Sequence, residues 1–479
     1  MKEKSRIYIT TAIDYVNAEA HLGHALEKIQ ADALARYHRE KGSDVFFLTG
    51  TDENSLSTVR AAEEKGVPVK DFVQEKADSF LKLKEKLNLS IDDFIRTSEK
   101  RHEQAVSKLW EKAKKDIFLK NYSGLLCSSC ETYYKKEEAP DGLCPIHQKE
   151  LELVEEKNYF FKLSRYQKQL RKIIETDQIK VLPESRKNEV LGFIDQGLED
   201  ICISRSAERL HGWGIDVPGD KSQKIWCWFD ALTNYISALE YNKEGRKFKE
   251  WWVDNPLKIH CIGKDILKFH AVYWPAFLLS AGLPLPQMIL THGWLTVNGQ
   301  KMSKSAGTGI DPVKLAKDYG IDAVRYFLLR EIPTSKDGDF SLVKFKERYN
   351  ADLASGLGNL VARVTKLAKE MKVEPKLTDS ETSQAIKEVQ KEYAQAMDNY
   401  DLREALMTIW NLIAFCDQYI EREEPWKGED GASTVVANLL FVLEKIILLL
   451  KPFLPNASQR MTDQLSGKRK TESLFPRLK

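Results

Sequence analysis

The sequence predicts an α/β fold: a Rossmann-type, doubly wound parallel sheet split by an insertion and followed by an α-helical bundle. Three observations predict it. The chain opens in the order strand, loop, helix, strand. Strand-like texture then changes over a long stretch, and the sheet pattern returns only after about residue 219. From about Phe340 onward, apolar residues recur almost only at helical spacing.

Each element has its own signal. Ile7-Tyr8-Ile9-Thr10-Thr11 is a β-branched and aromatic run that reads as a strand. After a polar loop, Leu22, Leu26, Ile29, Ala33 and Tyr37 follow helical spacing, and Gly42 marks the stop. Val45-Phe46-Phe47-Leu48 is a second buried strand, running into Thr49-Gly50-Thr51-Asp52. Helical patterns then continue, so residues 1–115 form the first half of the sheet domain. Residues 116–218 read as an inserted domain with a cysteine cluster. Sheet texture returns at 224–229, 257–263 and 287–290, giving a second half over 219–325. Residues 326–350 form a junction, and 351–479 an α-helical domain. Its apolar positions include Leu353, Leu357, Leu360, Val361 and Val364.

The 479 residues suggest roughly three domains. Hydrophobic residues make up 42% and charged residues 30%, a composition able to bury large cores. A net charge of +2 means that a nucleic-acid partner has to be met by local basic patches. The most apolar stretch, 435–453, is broken by Asn438, Glu444 and Lys445 and reads as a buried bundle helix, so no membrane contact is expected. No signal segment precedes the first strand, so a cytoplasmic location is expected, and the chain is read separately as a monomer. The chain closes soon after Leu474-Phe475-Pro476, and no further domain is expected. Cys202, Cys227, Cys261 and Cys416 are scattered and read as small core residues.

Two motifs carry phosphate chemistry. His21-Leu22-Gly23-His24 stands where the first strand gives way to a helix. A helix N-terminus attracts phosphate, Gly23 admits close approach, and two imidazoles can donate to phosphate oxygens. Lys301-Met302-Ser303-Lys304-Ser305 lies between small and polar residues, a setting suited to closing on a triphosphate and stabilising departing pyrophosphate. A third cluster suits a metal. Cys127-x-x-Cys130, thirteen residues, then Cys144-x-x-His147 has the spacing of a tetrahedral, structural Zn²⁺ site.

The two phosphate motifs, in this order on a split sheet, resemble the paired signatures of class I aminoacyl-tRNA synthetases. With the zinc knuckle between the sheet halves, the chain resembles the methionyl-tRNA synthetases within that class. The resemblance implies ATP with Mg²⁺, L-methionine and tRNA(Met) as partners. It implies catalytic roles for His21, His24, Lys301 and Lys304. It implies ATP contacts from these residues and from Gly23, Glu27, Gly263, Asp265, Gly293, Trp294 and Ser303. A methionine pocket is implied at Ala12, Ile13, Tyr15, Asp52, Trp228, Ala231, Leu232, Tyr235, Ile266 and His270. Asp52 holds the ammonium in that pocket, and the aromatic wall suits a polarisable thioether. Asn359, Arg363 and Trp426 match the family's anticodon readers, which stack and bond unpaired bases. Two positions depart from the family pattern: Asp14 where proline is usual, and Asn54-Ser55 where a His-Gly pair is common. The alternatives are a class I synthetase of another apolar specificity and a catalytically inactive RNA-binding paralogue.

Overall fold

The structure, a computed structural model, describes residues 5–127, 132–134, 136–145, 148–301, 309–468 and 472–478. It divides into two compact units. One comprises Met1–Ala20, Gly42–Lys84 and Ile91–Thr291; the other comprises His21–Lys41, Glu85–Ser90 and His292–Lys479.

The first unit is built on a six-stranded sheet. Its strands are β1 (Arg6–Tyr15), β2 (Asp44–Asp52), β3 (Asp93–Arg96), β4 (Lys180–Leu182), β5 (Leu257–Gly263) and β6 (Met288–His292). They stand in the order β3-β2-β1-β5-β6-β4. β1 pairs in parallel with both β2 and β5, β2 with β3, and β6 with β4. The chain thus winds outward from β1 in one direction and later in the other. That reversal makes the carboxyl end of β1 a topological switch point, where open α/β sheets bind ligands. β1 is not uniform. Its register with β2 shifts between Thr10 and Ile13, and the last pairs are Asp14 with Thr51 and Tyr15 with Asp52. Gly50 is required in this corner, because a Cβ there would stand 2.0 Å from the Ile95 carbonyl oxygen.

The stretch 116–218 is more entangled with the sheet than its texture suggests. Strands Ile117–Cys127, Thr132–Tyr134, Glu152–Phe161 and Ile201–Cys202 make their own antiparallel sheet. Yet β4, from the same stretch, is the edge strand of the main sheet. Three residues are too short to show a period, which is why the sequence does not reveal it.

The second unit holds helix α1 (Leu22–Glu40), which follows β1 in the chain, and the helices of the C-terminal half. Its long helices are Asn359–Met371, Ser380–Asp398, Leu402–Glu423 and Ala432–Leu450. Local chemistry starts two of them. Asp379 accepts from Thr382 N at 2.7 Å and Asp401 from Glu404 N at 3.0 Å, each an N-cap contributing about 1 kcal/mol. Ala432–Leu450 is long and apolar enough to cross a membrane by composition. Val436, Val442, Leu443, Ile446 and Leu450 on it are fully buried, the pattern of a bundle core helix.

Candidate active site

The residues expected to form a methionine pocket all fall in the first unit. Tyr15 ends β1 directly opposite Asp52 at the end of β2. Tyr15 Oη lies 3.1 Å from Cys227 Sγ, and Cys227 immediately precedes Trp228. Asp52 is buried and accepts from Asn54 N at 3.4 Å. Next to it, buried Glu53 anchors the loop through Arg96 (2.7 and 3.1 Å), while its own N–H donates to Thr97 Oγ1 at 2.8 Å. Ala12 and Asp14 are buried, so the position usually held by proline is part of the sheet interior.

The wall expected around the methionine side chain is aromatic. Trp228, Ala231 and Leu232 share the short helix Trp228–Leu232. Trp228 stacks on Phe269, with centroids 3.6 Å apart and planes 9° apart. Tyr235 Oη bonds His270 Nε2 at 2.7 Å, and His270 Nδ1 bonds the Ile266 carbonyl at 2.9 Å, so the three predicted pocket residues form one chain of contacts. The Tyr235 carbonyl is held by Tyr8 Oη at 2.8 Å. Against Tyr235, the His260 ring lies tilted by 32° with centroids 4.1 Å apart, and burial holds its imidazole well below the usual range. The ring is therefore uncharged at neutral pH, which suits an apolar guest. Trp228 also lines a cavity of about 710 Å³ with Trp226, Phe229, Phe269 and Tyr273; Tyr15, Asp52, Tyr235 and His270 are not among its walls. Gly263 ends β5, and Asp265 is exposed on the turn Lys264–Ile266.

One feature of this wall escapes the sequence. Asp230, between Trp228 and Ala231, accepts from His102 Nε2 at 2.6 Å and from Asn54 Nδ2 at 2.9 Å, all fully or nearly fully buried. The only sequence signal was Asn54 as a departure from the family pattern.

The residues expected to meet ATP, apart from Gly263 and Asp265, fall in the second unit. His21 is the N-cap of α1, and its Nδ1 accepts from Gly23 N at 3.1 Å. His24 Nδ1 accepts from His21 N, also at 3.1 Å. The rings stack 3.8 Å apart. Both Nδ1 atoms accept backbone protons, so each neutral ring carries its own proton on Nε2. The motif thus caps the helix with one nitrogen of each ring and keeps a donor on the other. Leu22 N donates to the Ile310 carbonyl at 3.0 Å, which ties the start of α1 to the chain just past the lysine motif. Lys301 ends the strand Gln300–Lys301, paired with Thr296. Ser303 and Lys304 lie outside the described residues. Glu27 is buried and faces His292 Nε2 at 3.1 Å. Gly293 admits the Lys336–Asp337 backbone so closely that a Cβ would stand 2.2 Å from it, and exposed Trp294 donates its backbone N–H to Asp337 Oδ1 at 2.8 Å.

The predicted base-reading residues also come together in this unit. Asn359 and Arg363 lie one turn apart on Asn359–Met371. The Arg363 guanidinium lies 5.5 Å from the Trp426 ring centroid, and Trp426 is 46% exposed. Sequence reasoning missed the acids beside them. Glu421 Oε1 accepts from Arg363 Nη2 at 2.8 Å, and burial raises the nearby Asp417 carboxyl above its ordinary range.

Comparison with known proteins fits this geometry. The family model described as tRNA synthetases class I (M) matches residues 7–152 and 137–365, and that of the anticodon-binding domain of tRNA ligase matches 379–477. Fold and paired phosphate motifs therefore define a class I aminoacyl-tRNA synthetase. The chain is 41% identical over 96% of its length to a methionine–tRNA ligase of Caldanaerobacter subterraneus subsp. tengcongensis, covering 74% of that protein. It is 41% identical over 97% of its length to the methionine–tRNA ligase of Brucella suis, covering 92% of it. A Mycobacterium tuberculosis methionyl-tRNA synthetase bound by methionyl-adenylate superposes with a TM-score of 0.92 at 36% identity, over 98% of this chain and 96% of that one. The chain belongs to the methionyl-tRNA synthetase family.

Proposed function

We propose that this chain is a methionine–tRNA ligase. It joins methionine to AMP at the expense of ATP, releasing pyrophosphate, and then passes the methionyl group to the 3′ end of tRNA(Met). The observation that carries the reading is the near-full-length kinship to methionine–tRNA ligases, supported by the pocket chemistry at the switch point. Asp52 supplies the counter-charge for the substrate ammonium. Ala12, Ile13, Tyr15, Trp228, Ala231, Leu232, Tyr235, Ile266 and His270 enclose the side chain. His21 and His24 donate from Nε2 to phosphate oxygens as charge builds there. Lys301 and Lys304, with Ser303, hold the leaving pyrophosphate. Gly23, Glu27, Gly263, Asp265, Gly293 and Trp294 seat the rest of ATP, with Mg²⁺ on its phosphates. Asn359, Arg363 and Trp426 read the anticodon.

The domain reading follows: catalytic halves over 1–115 and 219–325, a connective insertion over 116–218, a junction over 326–350, and an anticodon domain over 351–479. One structural Zn²⁺ is held by Cys127, Cys130, Cys144 and His147. Among the described residues, Cys127 and Cys144 are buried, and a turn folds onto Cys144 through Cys144 N to the Lys149 carbonyl and Gln148 N to the Cys144 carbonyl, both 2.8 Å. Such a turn and two buried thiols fit a zinc knuckle; Cys130 and His147 lie outside the described residues. A zinc ion there fastens the connective sheet and takes no part in the chemistry. Metal analysis is expected to find one zinc per chain, and finding none removes the knuckle. The enzyme is read as a cytoplasmic monomer.

ATP–pyrophosphate exchange across a panel of amino acids tests the whole reading. Exchange with methionine alone is expected. Exchange with valine or cysteine instead overturns the specificity, and no exchange at all favours an inactive RNA-binding paralogue.

A further inference from the structure

The departure at Asn54 sits at a buried junction between the two walls of the methionine pocket. Its side-chain nitrogen donates to the Thr97 carbonyl at 3.1 Å and to Asp230 Oδ2 at 2.9 Å. Both partners only accept, so the amide orientation is fixed by its neighbours. Asp230 Oδ1 takes His102 Nε2 at 2.6 Å, and His102 Nδ1 meets Ser237 Oγ at 2.8 Å. Asn54, His102, Asp230 and Ser237 are all 6% exposed or less. One end of this chain of bonds stands two residues beyond Asp52, on the loop that follows β2. Its shared acceptor, Asp230, stands inside the helix Trp228–Leu232, next to Ala231 and two residues after Trp228, and its far end, Ser237, closes the helix Asn234–Ser237. No member of it is among the residues expected to touch substrate.

We propose that Asn54, Asp230 and His102 are positioning residues that set the spacing between the ammonium-binding carboxylate and the aromatic wall of the methionine pocket. The inference rests on the pocket assignment made above. A pocket that must hold an ammonium and a thioether at once needs its two walls fixed to a fraction of an ångström. A buried network of side-chain hydrogen bonds supplies that rigidity, and Asp230 is the shared acceptor that joins Asn54 to His102. The residue type at 54 follows. An amide donates twice, to the Thr97 carbonyl and to Asp230. A carboxylate there would face Asp230 with like charge. A histidine, common in the family, keeps a donor for Asp230.

Steady-state ATP–pyrophosphate exchange on Asn54→Ala, Asn54→His and Ser237→Ala tests this, with thermal midpoints as a check on folding. Asn54→Ala is expected to raise the methionine KM about tenfold, the loss of about one such bond, while the ATP KM stays within about twofold. Asn54→His is expected to restore most of that loss. Ser237→Ala, one bond further out, is expected to raise the methionine KM about threefold, and it decides the matter if Asn54→Ala does not fold. An unchanged methionine KM in the folded variants, or equal rises in both KM values, overturns the proposal. Asp52→Asn and Trp228→Ala separate this from failure of the pocket itself. If those two raise the methionine KM and Asn54→Ala does not, only the positioning role falls. If they too are silent, the pocket assignment falls with it.

Discussion

Each compact unit contains a buried polar hub, and the two are built on different physics. In the first, Asn54, His102, Asp230 and Ser237 share side-chain hydrogen bonds, with one acid as the common acceptor. In the second, Asp32 and Arg325, both with fully buried side chains, meet at 2.7 Å. Asp32 also takes Arg36 Nε at 2.7 Å and Ser90 N at 2.6 Å. Arg325 spends its remaining donors on backbone: the Phe453 carbonyl at 2.7 Å, Pro452 at 3.1 Å and Leu87 at 3.3 Å. The first hub, on the proposed assignment, orients side chains of a pocket. The second fastens α1, which carries His24 in its first turn just after the N-cap His21, to two backbone segments, 87–90 and 452–453. On the proposed site assignment, a pocket wall needs alignment and little strength, whereas a helix whose first turn is to meet a triphosphate needs an anchor.

The largest effect expected from this difference is on stability. Arg325→Ala leaves Asp32 buried and three carbonyls without a donor, and is expected to cost about 3–5 kcal/mol of unfolding free energy. Asn54→Ala is expected to cost about 1–2 kcal/mol. Urea unfolding of both variants checks the contrast. Similar losses would mean that the two hubs do the same work. A paired Asp32→Leu, Arg325→Met replacement sharpens it further. Hydrophobic pairs often replace buried ion pairs without loss, but not where the arginine also satisfies backbone carbonyls.

The next effect depends on pH. Asp322, on the helix Ile321–Arg330, accepts from the Ala457 backbone N–H. Burial pushes its carboxyl up to about 6 from an ordinary 3.8, against the pull of that backbone bond and of Arg325 and Arg36. A group that binds its proton more tightly when folded stabilises the fold at low pH. Its contribution is fully present below about 3.8 and is lost as pH rises through about 6, to a total of at most about 3 kcal/mol. Asp32 works in the opposite direction. Burial alone would raise it, but Arg325, Arg36 and Ser90 hold it below its ordinary range, so its contribution is present above about 3.8 and lost on acidification. The unaltered chain is therefore expected to lose thermal midpoint between about pH 4 and pH 7 through this group, and Asp322→Asn is expected to flatten that fall. An identical slope in both proteins would remove Asp322 as its source.

What the sequence revealed and what it hid divide along the same physical line. The His21-to-His24 motif is legible because its capping bonds close within four residues. Tyr15 and Asp52 end two adjacent strands whose apolar runs are visible in the sequence. The hubs are not legible, because Asn54 and Asp230 are 176 residues apart and His102 and Asp230 are 128 apart. No local pattern joins them. The departure at Asn54 was visible as an oddity, and its meaning needed the fold. Asp417 and Glu421 were hidden for the same reason: acids on a helix surface look alike until Arg363 is seen beside them.

The smallest effect on stability is expected where the same chemistry is exposed. Arg363, Glu421 and Trp426 form an ion pair and a cation–π contact at the surface, with the Glu421 side chain 64% exposed. Solvent screens such pairs, so Trp426→Ala is expected to change unfolding free energy by less than about 1 kcal/mol. Its cost should appear in RNA recognition. One stacked base contributes about 1–3 kcal/mol, so tRNA charging is expected to lose about tenfold or more in kcat/KM. Methionine-dependent pyrophosphate exchange, which needs no tRNA, is expected to stay within about twofold. That split would set the exposed cluster apart from both buried hubs: Arg325→Ala should lower stability, Asn54→Ala should raise the methionine KM, and Trp426→Ala should do neither. Equal losses of exchange and charging in Trp426→Ala would show that the cluster acts on the activation step and would overturn its assignment to the anticodon.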